Sequence, residues 1–198
     1  MSCPLAVAAK MSGIACCWTK HALFFAIATI AIIVAFFTNK EFFEWAFARH
    51  QNMLSWYIRP LFIIPIVIGA YKKSYFIIFA SIFALFTSMF WFPQPTTVDE
   101  RVIGFLNFEK EYLTSGWKVD KFFVLIAVVL FFLFLIYTTW QRKWKSLLWV
   151  VISGAVLKVI HSVIFGGENG KSIVKPAIIG LFVCISAITY IVIKKRKN

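Results

Sequence analysis

Acidic side chains are scarce in this chain: Asp and Glu number 8 against 21 Lys and Arg in 198 residues, a formal charge of +13. An excess of that size suits nucleic acid only when the cations form a folded basic face. Here they flank apolar runs, which is the pattern of membrane topology, so no nucleic-acid partner is expected. Phosphate-cradling and metalloprotease patterns are missing: there is no GxxxxGK[ST], no GxGxxG and no HExxH, so ATP-driven work is not expected. Cysteine is limited to 4. Cys16 and Cys17 are adjacent, have no His or Cys at ligand spacing, and read as free thiols at a membrane edge. Cys3 adds nothing, and Cys184, inside an apolar run, reads as a small packing hydrophobe. No polar linker divides the chain, and no internal repeat is visible, so a single bundle is expected.

Apolar side chains dominate what is present, with 61% hydrophobic residues, 15% charged and a mean hydropathy of +0.83. A soluble domain does not accommodate that balance. Six runs approach the roughly 20 residues that a bilayer-crossing helix needs: 21–38, 56–71, 74–91, 121–140, 147–165 and 173–193. The second is the weakest, because Pro60 and Pro65 interrupt it. The expectation is an all-α integral membrane protein of about six spans in one bundle over 21–193. It is preceded by a cytoplasmic lead over 1–20, read as retained rather than as a signal peptide, and followed by a basic tail over 194–198.

Charge segregation orients this scheme. With the N-terminus in the cytoplasm, Lys10, Lys20, Lys72, Lys73, the 142–145 cluster and the 194–197 tail all fall inside, and every acid falls outside. Both termini are therefore expected on the cytoplasmic side of the cell membrane, with the basic tail near anionic lipid. The longer connections lie outside. Two of them read as amphipathic interfacial helices, over 39–55 and 98–113, each opened by a capping-box spacing, Thr38 with Glu41 and Thr97 with Glu100. In the first, Phe42, Phe43, Ala46, Phe47, Met53, Leu54 and Tyr57 share an apolar face that also holds His50, while Gln51, Asn52 and Ser55 fall opposite. In the second, Glu109 interrupts the stripe of Val98, Val102, Phe105, Leu106, Tyr112 and Leu113. The GGENG segment at 166–170 reads as an outer turn.

The fifth span carries Lys158 and His161, three residues apart on one face, with Ser162 beside them. An ionisable residue inside a span is a functional candidate by default. At about 1.5 Å per residue, His161 lies about 7 Å and Lys158 about 12 Å from the outer end of the run. His50, Glu109, Lys158 and His161 thus stand at compatible depths, joined by Arg59 as an anion clamp. They outline an outward-facing pocket beneath the two amphipathic helices. Three functional readings follow. The first is binding or transport of a small anionic or protonatable solute. The second is a membrane-embedded enzyme on a lipid-linked or extracytoplasmic substrate, using His and Glu as acid and base or a metal on His50, His161 and Glu109, with a bis-histidine haem between His50 and His161 a thinner variant. The third is a scaffold, in which Glu109 simply pairs with Lys158 or Arg59. Two cations and no nucleophile in a recognisable setting favour the solute, with no resident cofactor.

Overall fold

A computed structural model describes the backbone of residues 4–116 and 118–197, and the side chains of 20–116 and 118–194. Expectations for Cys3, Cys16, Cys17 and the 195–198 tail lie outside the described side chains. Every element among the described residues is helical: α1 Pro4–Thr38, α2 Lys40–His50, α3 Met53–Leu61, α4 Ile63–Tyr71, α5 Tyr75–Thr87, α6 Glu100–Thr114, α7 Val119–Trp140, α8 Trp144–Gly170 and α9 Val174–Lys197. Three-residue 3-10 turns follow α5 (Ser88–Phe90) and α8 (Lys171–Ile173). The lead expected over 1–20 is helical from Pro4 and continuous with the first apolar run. No proline follows Pro4 within this helix.

Four stretches are long and apolar enough to cross a bilayer: Lys20–Thr38, Met53–Tyr71, Val119–Trp140 and Trp144–Lys194. The apolar helix Tyr75–Phe90 is shorter. The fourth stretch runs to 51 residues because helix-like backbone continues through the GGENG segment. Within it the chain changes direction at Gly167, whose φ of +56° is a left-handed conformation that favours glycine, and α9 then packs back on α8. Large apolar side chains are widely exposed, among them Trp149, Phe182 and Val119. A soluble monomer does not show an apolar surface of that extent, and these helices are compatible with a multi-pass membrane protein.

Two apolar clusters organise the molecule. One joins α4, α7, α8 and α9 through Ile66, Val67, Leu135, Leu147, Val151, Cys184 and Ile188. The other sits where α2 and α6 cover the start of α3, and is built from Phe43, Phe47, Trp56, Val102, Phe105 and Leu106. Helix α1 packs against α5, and α5 against α4. The break between α3 and α4 follows Pro60 and precedes Pro65, neither of which can donate a ladder hydrogen bond. Helix α9 seats against that break. The Cys184 thiol donates to the Pro60 carbonyl at 3.1 Å, and a Cβ on Gly180 would lie 2.3 Å from Pro60 Cγ. Small residues four apart permit this close approach, so Cys184 does more than fill space.

Both expected helix starts are displaced. Thr38 belongs to α1 and its hydroxyl donates back to the Val34 carbonyl, while Asn39 caps α2 by accepting from the Phe42 amide. Asp99, not Thr97, caps α6 by accepting from the Arg101 amide. Asn and Asp outrank Thr as caps, so the stronger neighbour takes the position. The single helix expected over 39–55 also divides, because Asn52 caps α3 through the Leu54 amide. Leu54, expected on the apolar face, is consequently exposed. The remaining buried face of α2 is Phe43, Ala46, Phe47 and His50, in agreement with its periodicity. In α6, Val102, Phe105 and Leu106 are buried while Leu113 is exposed.

Candidate functional site

The elbow between α2 and α3 positions the first group. His50 is the last residue of α2, 4% exposed, and its carbonyl accepts from the Trp56 indole at 2.9 Å. Asn52, which turns the chain, also donates through its side-chain amide to the Pro93 carbonyl. These two bonds tie the α2–α3 elbow to α3 and to the Pro93 segment.

Both imidazole nitrogens are engaged, and their partners settle the tautomer. Arg59 Nη1 stands 3.2 Å from His50 Nε2. A guanidinium only donates, so Nε2 accepts and a neutral ring carries its proton on Nδ1. Nδ1 lies 2.8 Å from Ser55 Oγ, and the Ser55 hydroxyl spends its own proton on the Asn52 carbonyl, also at 2.8 Å. The result is a directed chain from Arg59 to His50 to Ser55 to the Asn52 carbonyl. Burial, then the Arg59 and Lys158 charges, holds the His50 pKa well below the usual histidine value. The neutral ring and the hydrogen-bond chain are two views of one arrangement.

Arg59 projects from α3 into this corner. Among the described residues it pairs with no carboxylate, and its hydrogen bond is to the neutral His50 ring. Glu109 pairs instead with Lys158, with Nζ 3.0 Å from Oε1. Lys158 also lies 5.8 Å from the centre of the Phe105 ring. Its side chain is 51% exposed against 25% for Glu109, so the ammonium lies along the surface of the α6–α8 contact rather than deep in the bundle.

His161 is placed beside α6 as well, with its ring centre 5.7 Å from that of Tyr112 and 4.8 Å from that of Phe165. Lys158 and His161 therefore do share a face, and that face meets α6. Ser162 is buried with its hydroxyl unpartnered, where Gly170 comes back onto its carbonyl. The Tyr112 hydroxyl is also buried, and burial first, then the Asp120 carboxylate close to it, raises the phenol's pKa.

The site thus has two parts. His50 and Arg59 form one, Glu109 with Lys158 forms the other, and Lys158 and Glu109 act on His50 and Arg59 through their charge. His161 stands with the second part. Among the described residues no three His, Cys, Asp or Glu are grouped as metal ligands, so the conditional set of His50, His161 and Glu109 is not assembled. With both its nitrogens hydrogen-bonded, His50 has no lone pair free for a haem iron either. The cleft between α2 and α6 is lined by Glu44, Phe47, Ala48, Gln51, Leu106, Asn107 and Lys110, none of them a predicted site residue, and is crossed by a Lys110 to Glu44 ion pair. Ser55 escaped the sequence reading because a continuous helix puts it on the solvent face. The signal was Asn52, three residues ahead of Ser55 and a strong cap. No family model, curated protein or solved structure matches this chain, so the site stands on its geometry alone.

Proposed function

We propose that the protein is a multi-pass membrane protein that binds, and in the membrane transports, a small anionic solute at the Arg59 corner. The carrying observation is the Arg59 guanidinium itself, held against a neutral imidazole with no carboxylate partner among the described residues. A sparsely solvated cation of this kind is costly unless something negative completes it. Local charge supports the same reading, since Arg59 and Lys158 face one carboxylate, Glu109, while His50 is uncharged. Guanidinium geometry favours planar or tetrahedral oxyanions, which accept two parallel N–H bonds. In the bilayer the reading places six spans, with α8 and α9 parted at Gly167, both termini inside, and α2 and α6 on the outer face above an outward-facing site. His161 and Glu109 complete its rim.

Anion binding to purified protein in detergent tests this. Chloride, sulfate, phosphate and small carboxylates are titrated by calorimetry. At least one oxyanion is expected to bind, with Arg59→Gln weakening it at least tenfold and Lys158→Met weakening it less. Binding that is unchanged in Arg59→Gln overturns the assignment of the site.

A further inference from the structure

The same corner carries a second property, which rests on the anion-binding reading. In the present arrangement Arg59 spends an N–H on His50 Nε2 at 3.2 Å. An oxyanion that recruits the guanidinium competes with that lone pair. Once Arg59 turns to the anion, Nε2 is left as a buried acceptor with no donor, an arrangement that carries the desolvation penalty of an unmade hydrogen bond. A change of tautomer would require the Ser55 hydroxyl to give up the Asn52 carbonyl, which would keep only the Ser55 amide, and turn its proton to Nδ1, and it would offer the anion only a neutral N–H. A proton taken from solution onto Nε2 does resolve it. The imidazolium then keeps its Nδ1–H bond to Ser55 and points a new Nε2–H at the anion.

We infer that anion binding at Arg59 is coupled to uptake of one proton by His50, so that the protein takes up an anion and a proton together. No covalent bond is made or broken except N–H, and bulk water supplies the proton. The charge added on binding is that of the anion plus one, which halves the net charge moved for a divalent oxyanion and cancels it for a monovalent one. Moving charge across a bilayer potential carries a free-energy cost that this neutralisation reduces.

The groups that face His50 agree with the coupling. Arg59 from α3 and Lys158 from α8 oppose its protonation, and Glu109 from α6 holds Lys158 and acts on Arg59. Arg49, on His50's own helix, is turned away to the Phe90 carbonyl at 2.8 Å and the Trp45 ring. The adjoining 3-10 turn Ser88–Phe90 contains no titratable side chain. Burial first, and then the two cations, keep the ring neutral while the corner is empty, and an anion there opposes the cations' effect on Nε2.

Sulfate is the probe, because it stays divalent between pH 5.5 and 8 and any proton linkage then belongs to the protein. Its association constant for the full chain is expected to rise as pH falls, by up to about tenfold per pH unit where one proton enters with each anion. Calorimetry in buffers of different ionisation enthalpy counts that proton directly. In His50→Gln, whose side-chain oxygen can still accept from Arg59, the pH slope and the proton count are expected to vanish; the slope, not the affinity, is the readout. Histidine NMR provides a second reading, since the chain has only 3 histidines. His50 is expected as the Nδ1–H tautomer at neutral pH, becoming doubly protonated when sulfate is added. Sulfate binding with no pH slope overturns the coupling and leaves the anion site standing. An Nε2–H tautomer without sulfate also overturns the coupling, and no sulfate binding at any pH overturns both.

Discussion

A neutral His50 makes stability itself sensitive to acid. Its folded-state pKa lies below the ordinary value of 6.5, so the unfolded chain takes up the proton first as pH falls. The stabilisation is fully present above pH 6.5 and is lost below it, with a limiting slope of about 1.4 kcal/mol per pH unit. Thermal unfolding in detergent at low anion concentration is expected to show a midpoint that drops below pH 6.5, and His50→Gln is expected to flatten that drop. The Lys158 and Glu109 pair predicts a different asymmetry. Glu109→Gln leaves an unpaired but half-exposed ammonium on the α6–α8 surface and is expected to cost at most about 1 kcal/mol, whereas Lys158→Met, which removes the charge, costs less. The double variant is expected to match Lys158→Met in unfolding midpoint. A double variant as unstable as Glu109→Gln would show that Glu109 serves some other partner.

At the level of elements, α6 offers a direct check of its orientation. Phe105 is 1% exposed, while Asn107 and Glu111 are exposed. Cysteines at 107 and 111 are expected to react readily with an impermeant thiol reagent, and one at 105 slowly. Uniform reaction at all three would mean that α6 does not lie on α3 and α8. The contact of α9 with the Pro60 break provides a stability test. Gly180→Val drives a branched side chain into the Pro60 ring and is expected to destabilise by about 1–3 kcal/mol, with loss of monodispersity on size exclusion. Much of this level was legible from sequence. Periodicity located both amphipathic faces, including His50 on one and the Phe105 stripe on the other. What it misplaced were the ends: Thr38 and Thr97 match a capping box, but Asn39 and Asp99 compete for the same amides and win. The division at Asn52 followed from the same competition, and with it went the position of Ser55. A pattern averaged over a turn does not resolve which of two neighbouring side chains caps.

Taken as a whole, the molecule can be oriented by its charges. A reporter fused after Asn198 is expected to be active in the cytoplasm, and one inserted at Gly167 outside; agreement between the two would mean that α8 and α9 do not form separate spans. The candidate residues stood out in sequence because ionisable groups in apolar faces break the pattern; in space Arg59 meets His50 and Lys158 meets Glu109. Their pairing was not legible. Whether Glu109 meets Lys158 or Arg59 depends on how α6 rotates over α3 and α8, where Phe105 packs on Trp56 and Gly104 lies close to the Asn169 side chain, partners far apart in sequence.

The joint between α3 and α9 has a consequence for biosynthesis. The residues that meet there, Pro60 and Cys184, are 124 positions apart. Helix α3 therefore leaves the ribosome long before the helix that seats against its break. During that interval the Pro60 carbonyl has no thiol to accept from, and the Arg59 corner rests on a helix whose far side is unsupported. A nascent chain halted before α9 would carry a fully translated but unbraced site.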